Sequence, residues 1–138
     1  MSGVLADTSV VLDVFQDDPR WCTWSLSALR DGARRGRLFI DPIIHAEVSV
    51  GFARIEELER AIDDAGLAML PIPKEALFLA AKAYLRYRRQ RGTKTAPLPD
   101  FFIGAHAAVE GLTLVTRNPR RVREYFPTVR LVAPAGTA

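Results

Sequence analysis

Apolar residues in this chain fall into short runs separated by longer stretches in which they return every three or four positions. Val4-Leu5-Ala6 is such a run. It stops at Asp7-Thr8-Ser9, after which Val10, Val11, Val14 and Phe15 recur at helical spacing, so the pattern predicts strand, tight turn and helix. A second helix is expected over 21–35, with Trp21, Trp24, Leu26 and Leu29 supplying apolar contacts and Gly36 as its stop. Leu38-Phe39-Ile40 reads as a strand closed by Asp41-Pro42. The spacing then suits a helix over 43–52 and another from Ile55 through Leu58 and Ile62 to Gly66, with Glu56, Glu57, Glu59 and Asp63 on its wet side. A strand is expected over 67–72, a long helix over 74–90, and a loop over 91–99 marked by Gly92, Pro97 and Pro99. A helix over 100–110, a strand over 112–116, a short helix over 119–125 and a last strand over 129–132 complete the series.

Strands alternating with helices at this spacing predict an α/β fold: a central, mainly parallel sheet of four to five strands, covered on both faces. One domain over residues 1–133 is expected, followed by a loose tail over 134–138. In open sheets of this kind ligands bind outside the carboxyl ends of the strands.

The 138 residues are 49% hydrophobic, enough for one packed core. No apolar run approaches the roughly 18 residues that span a membrane, and the first residues lack a signal-peptide pattern, so a cytoplasmic protein is expected. The lone cysteine, Cys22, excludes an intrachain disulfide and a cysteine-based zinc site, and reads as a core residue. A net charge of +3 tolerates an anionic partner without requiring one.

Three carboxylates bear on chemistry. Asp7 follows the first strand and opens a helix; it is equally a good helix cap. Glu47 has Ile43, Ile44, Val50 and Gly51 as helical neighbours, which places its carboxylate on an apolar stripe, where it needs an arginine partner or a metal ion. Asp100 opens a nearly all-apolar helix, again as cap or as site residue. As a set, three acids at helix starts on one sheet edge form a cluster suited to a hard divalent cation, Mg²⁺ or Mn²⁺, and to phosphodiester hydrolysis. Arg86, Arg88, Arg89, Arg91 and Lys94 precede Asp100, and Arg117, Arg120, Arg121 and Arg123 flank Asn118. Both groups can border that edge and contact phosphates, although arginines on solvated faces are common. His45 and His106 are lone histidines without ligand spacing. A phosphate-binding glycine loop, a nucleophile elbow and a dinucleotide fingerprint are all missing from the sequence.

Four segments in register resemble the signature regions of PIN-domain toxins of the VapC type: Leu5-Ala6-Asp7-Thr8-Ser9-Val10, Asp41-Pro42-Ile43-Ile44-His45-Ala46-Glu47, Leu98 to Ala107, and Leu114-Val115-Thr116-Arg117-Asn118. The resemblance runs over nearly the whole chain. It implies an α/β/α sandwich, a metal-dependent endoribonuclease acting on RNA, a homodimer, and neutralisation by a small VapB-like antitoxin. It also implies that Asp7, Glu47 and Asp100 hold the metal and that Ser9 and Thr116 support the site. The chain departs from the pattern at Asn118, where many relatives carry a fourth acid there or three residues later, the position of Arg121. Asn still offers a carbonyl oxygen, but the attraction for a second cation falls, and Glu124 is a candidate substitute that nothing in the sequence places there. Two alternatives to an RNA-cutting enzyme follow: a PIN-like binding module with little catalysis, and a nuclease acting on single-stranded DNA.

Overall fold

The computed structural model describes residues 3–91 and 98–136. Its strands are β1 (Val4–Ala6), β2 (Leu38–Ile40), β3 (Ala68–Met69), β4 (Thr113–Val115) and β5 (Leu131–Val132). They form one five-stranded sheet in the order β3-β2-β1-β4-β5, and every pairing is parallel. β1 lies at the centre, with Leu5 opposite Phe39 on one side and Leu114 on the other. All three of its residues are buried, as a strand covered on both faces requires.

The helices are α1 (Thr8–Phe15), α2 (Cys22–Arg35), α3 (Pro42–Ser49), α4 (Ile55–Asp64), α5 (Lys74–Arg91), α6 (Leu98–Glu110) and α7 (Arg120–Tyr125). α2 lies on β1 and β2, α6 contacts β4, and α5 packs along α6. Tyr84 and Tyr87 of α5 meet Phe101 of α6, whose ring also contacts Tyr125 and Phe126. Gly104 lets Phe126 come this close: a Cβ there would stand 2.5 Å from the Phe126 ring.

Several boundaries differ from the sequence-based expectation. β3 shrinks to Ala68–Met69 because it is an edge strand running toward Pro71 and Pro73, which have no amide to donate. α6 begins at Leu98, since Pro99 fits a first helical turn whose amides lack partners anyway. Asp100 is therefore in that first turn and is not the residue that opens the helix. α3 ends at Ser49, so Val50 (88% exposed) and Gly51 fall outside its apolar stripe, which consists of Ile44 and Val48. Glu47 is consequently half-buried and not embedded in that stripe. Cys22 is half-buried, not a core residue. Pro134 is buried, which carries the packed chain one residue into the expected tail. Among the described residues no helix is long and apolar enough to cross a membrane.

Candidate functional site

The sheet order reverses at β1, which has β2 on one side and β4 on the other. A crevice therefore opens between the carboxyl ends of β1 and β4, the position where open parallel sheets bind ligands. Asp7 follows β1 and Thr116 follows β4, so the chain itself puts both at this point. The Asp7 amide donates to the Val115 carbonyl at 2.9 Å, extending the ladder into the site.

Asp7 both caps a helix and lines the crevice. Its Oδ1 accepts the Thr8 amide at 2.8 Å and so caps α1. Its Oδ2 faces the crevice and accepts the Ser9 hydroxyl at 3.2 Å and the Thr116 hydroxyl at 2.6 Å. The Thr116 oxygen in turn accepts the Asn118 amide at 3.0 Å. Ser9 and Thr116 thus both hold the carboxylate. Burial pushes the Asp7 carboxyl up to about 6 despite the lowering hydrogen bond from Thr116, and the charge of Asp100 adds to the rise.

Asp100 enters from α6. Its Oδ2 accepts from Arg121 Nη1 at 2.6 Å. Burial raises its carboxyl, the Arg121 charge opposes that rise, and the Glu47 charge reinforces it. Asp7, Asp100, Thr116, Asn118 and Arg121 surround a cavity of about 40 Å³ floored by Ile103, Leu114 and Val122. That exceeds the roughly 10–15 Å³ one water needs, so an ion with some of its waters fits. Glu47 stays outside the cavity lining; its Oε1 accepts the Thr8 hydroxyl at 2.6 Å, one residue from Asp7. Glu124 is exposed and does not line the cavity. Larger hollows of about 360 and 250 Å³ flank α2, away from these acids.

Among the described residues no three His, Cys, Asp or Glu side chains form a ready-made ligand set. Asp7 and Asp100 nevertheless fit a Mg²⁺ or Mn²⁺ ion that keeps most of its waters, because one or two carboxylates with neutral oxygens suit such ions. Both carboxylates line the same cavity, so a cation placed there would meet the two together.

The basic residues separate into different roles. Arg117 does not reach outward as a phosphate contact: Nε and Nη2 bond Asp13 at 2.7 and 3.1 Å, and the guanidinium lies over Trp21. Asp13 is buried and also accepts the Ser25 hydroxyl at 2.7 Å. This clamp ties the segment after β4 to α1 and α2, and its sequence signal was a lone acid within Val10-Val11-Leu12-Asp13-Val14-Phe15. Arg86 is exposed and lies over Tyr125, and Arg89 is exposed beside it on α5. Lys94 and the side chain of Arg91 lie outside the described residues. A second internal tie joins α3 to α6: Asp41 caps α3 through the Ile44 amide and meets His106 Nδ1 at 3.0 Å, both side chains fully buried. His106 Nε2 has no hydrogen-bond partner among the described residues.

Comparison with known proteins agrees with this arrangement. The family model described as PIN domain matches residues 4–125. Solved structures similar in fold include VapBC2 from Rickettsia felis bound to a DNA fragment from their promoter, at 21% identity and a TM-score of 0.67, covering 94% of this chain and 97% of that one. DNA-bound VapBC from Salmonella typhimurium is 21% identical with a TM-score of 0.66, covering 96% and 98%. FitAcB from Neisseria gonorrhoeae is 23% identical with a TM-score of 0.62, covering 93% and 95%. No curated protein sequence matches the chain.

Proposed function

We propose that this chain, which belongs to the PIN-domain family, is a metal-dependent endoribonuclease and the toxin of a toxin–antitoxin pair. PIN domains are generally nucleases, and the observation that supports the activity here is the buried, under-neutralised Asp7 carboxylate facing Asp100 across the switch-point cavity. Asp7 and Asp100 would hold Mg²⁺ or Mn²⁺, with the Asn118 carbonyl as a neutral oxygen and Glu47 contributing charge from outside the lining. When bound, the ion would supply an activated water and offset charge building on phosphorus. Thr116 and Ser9 fix the Asp7 carboxylate so that Oδ2 faces the cavity. Arg86 and Arg89, exposed near the start of α6, would contact the RNA backbone without reading its sequence; Arg91 and Lys94 extend that group along the chain.

The pairing with a VapB-like antitoxin is supported by the VapBC and FitAB complexes among the fold neighbours. Homodimerisation has apolar surface available in Leu77, Phe78 and Leu85 of α5, all exposed. The test is cleavage of a mixed RNA pool by purified, antitoxin-free protein with and without Mg²⁺ or Mn²⁺. Metal-dependent cutting that is lost in a folded Asp7→Asn variant supports the reading, and equal cutting by both proteins rejects it. A second reading, a PIN-like binding module with weak catalysis, is favoured by Asn118 in the cavity lining and by Arg121 on Asp100. Full activity of the wild type would dismiss it.

A further inference from the structure

Building on the nuclease reading, we propose that Arg121 is the resident cation of the acidic site, occupying Asp100 in the metal-free protein and limiting the site to one divalent ion. The contact is direct, Nη1 to Oδ2 at 2.6 Å. The guanidinium is also held from behind, its carbon 5.5 Å from the Tyr87 ring centre and 5.8 Å from that of Phe101. A cation over two aromatic faces is steadied there. Val122 and Tyr125, the buried residues of α7, anchor the short helix that carries it. Arg121 therefore belongs to the cavity wall.

The charge balance gives this contact its consequence. Two carboxylates, Asp7 and Asp100, share the cavity with one guanidinium, and the Glu47 charge acts on Asp100 from outside the lining. Two uncompensated negative charges remain, which one divalent ion balances, so a second would meet no net negative charge. The ion that does bind must share Asp100 with Arg121 or displace it, so the arginine weakens binding even as it preorganises the carboxylate.

The experiment is a Mn²⁺ titration of the full chain, followed by calorimetry and by the electron paramagnetic resonance of free Mn²⁺, on wild type, Arg121→Gln, Arg121→Lys and Asp7→Asn. Circular dichroism first establishes that each folds. One ion per chain is expected for the wild type, with binding about tenfold tighter in Arg121→Gln. Arg121→Lys, which keeps the charge, should stay within about threefold of wild type, and Asp7→Asn should lose the ion. Two ions in the wild type, or no tightening in Arg121→Gln while Asp7→Asn still loses binding, overturns the role of Arg121 alone. Binding indifferent to Asp7→Asn, or no binding by any of the proteins, overturns the metal reading and this inference with it.

Discussion

The Thr116 hydroxyl donates to Asp7 Oδ2 at 2.6 Å while its oxygen accepts the Asn118 amide at 3.0 Å, so its proton is committed to the carboxylate. This side chain helps orient Asp7 and opposes the rise that burial imposes on its carboxyl. Thr116→Val keeps the shape and removes the hydrogen bond. The Asp7 carboxyl should then rise above its value of about 6, and nuclease activity at neutral pH should fall about tenfold or more, with part of the loss recovered at higher pH. Thr116→Ser should remain within about threefold of wild type. A pH–rate profile of the three proteins checks this; a Val variant with the wild-type profile would sink it.

The Asp7 carboxyl makes the metal-free fold sensitive to pH. Folding raises it from 3.8 to about 6, so the folded state holds a proton that the unfolded chain has already released. Its contribution is most favourable below pH 4, declines as the pH climbs from about 4 to 6, and stays as a penalty above that. The penalty is on the order of 1–3 kcal/mol. Asp7→Asn keeps a good helix cap and should be more stable than wild type at pH 7.5 without metal. Urea unfolding at pH 4.5, 6 and 7.5 measures it, and an Asn variant that is less stable at pH 7.5 would contradict the assignment.

Arg117 and Arg89 should behave as opposites. Arg117→Ala leaves the buried Asp13 carboxylate with only Ser25, a loss of about 3–5 kcal/mol. Arg89→Ala on the exposed face of α5 should leave stability within about 0.5 kcal/mol and weaken RNA binding, with a shallower dependence on salt. Thermal unfolding and RNA binding at two salt concentrations separate the two. Equal effects on stability would remove the distinction.

Gly104→Ala is expected to cost about 1–3 kcal/mol, since the added methyl group would stand 2.5 Å from the Phe126 ring. The smaller ring-free side chain of Phe126→Leu should relieve part of that cost, so the double variant should be more stable than the sum of the single changes implies. A double-mutant cycle by urea unfolding reads the coupling.

Much of this architecture is legible in the chain. Short apolar runs and helical spacing yield all five strands and the seven helices, with their order, because each element's period and its stop signals agree. Asp7 is legible as a helix cap, and its second oxygen, which accepts from Thr116, is a long-range contact the sequence does not show. Glu47 is the opposite case. Its apparent stripe counted Val50 and Gly51 as helical, and the helix stops at Ser49. What the sequence hides is partnership at long range: nothing local links Arg121 to Asp100, Arg117 to Asp13, or His106 to Asp41. Each arginine and histidine reads as an exposed or packed residue until the fold supplies its acid.

The bond between Thr116 and Asp7 joins residues 109 positions apart. During synthesis, therefore, Asp7 leaves the ribosome 109 residues ahead of its hydroxyl partner. The nascent chain can form β1, β2 and β3, but β4 must insert beside β1 before the cavity has a second wall. A chain that stops before β4 therefore lacks Thr116 and the wall that β4 gives the cavity around Asp7.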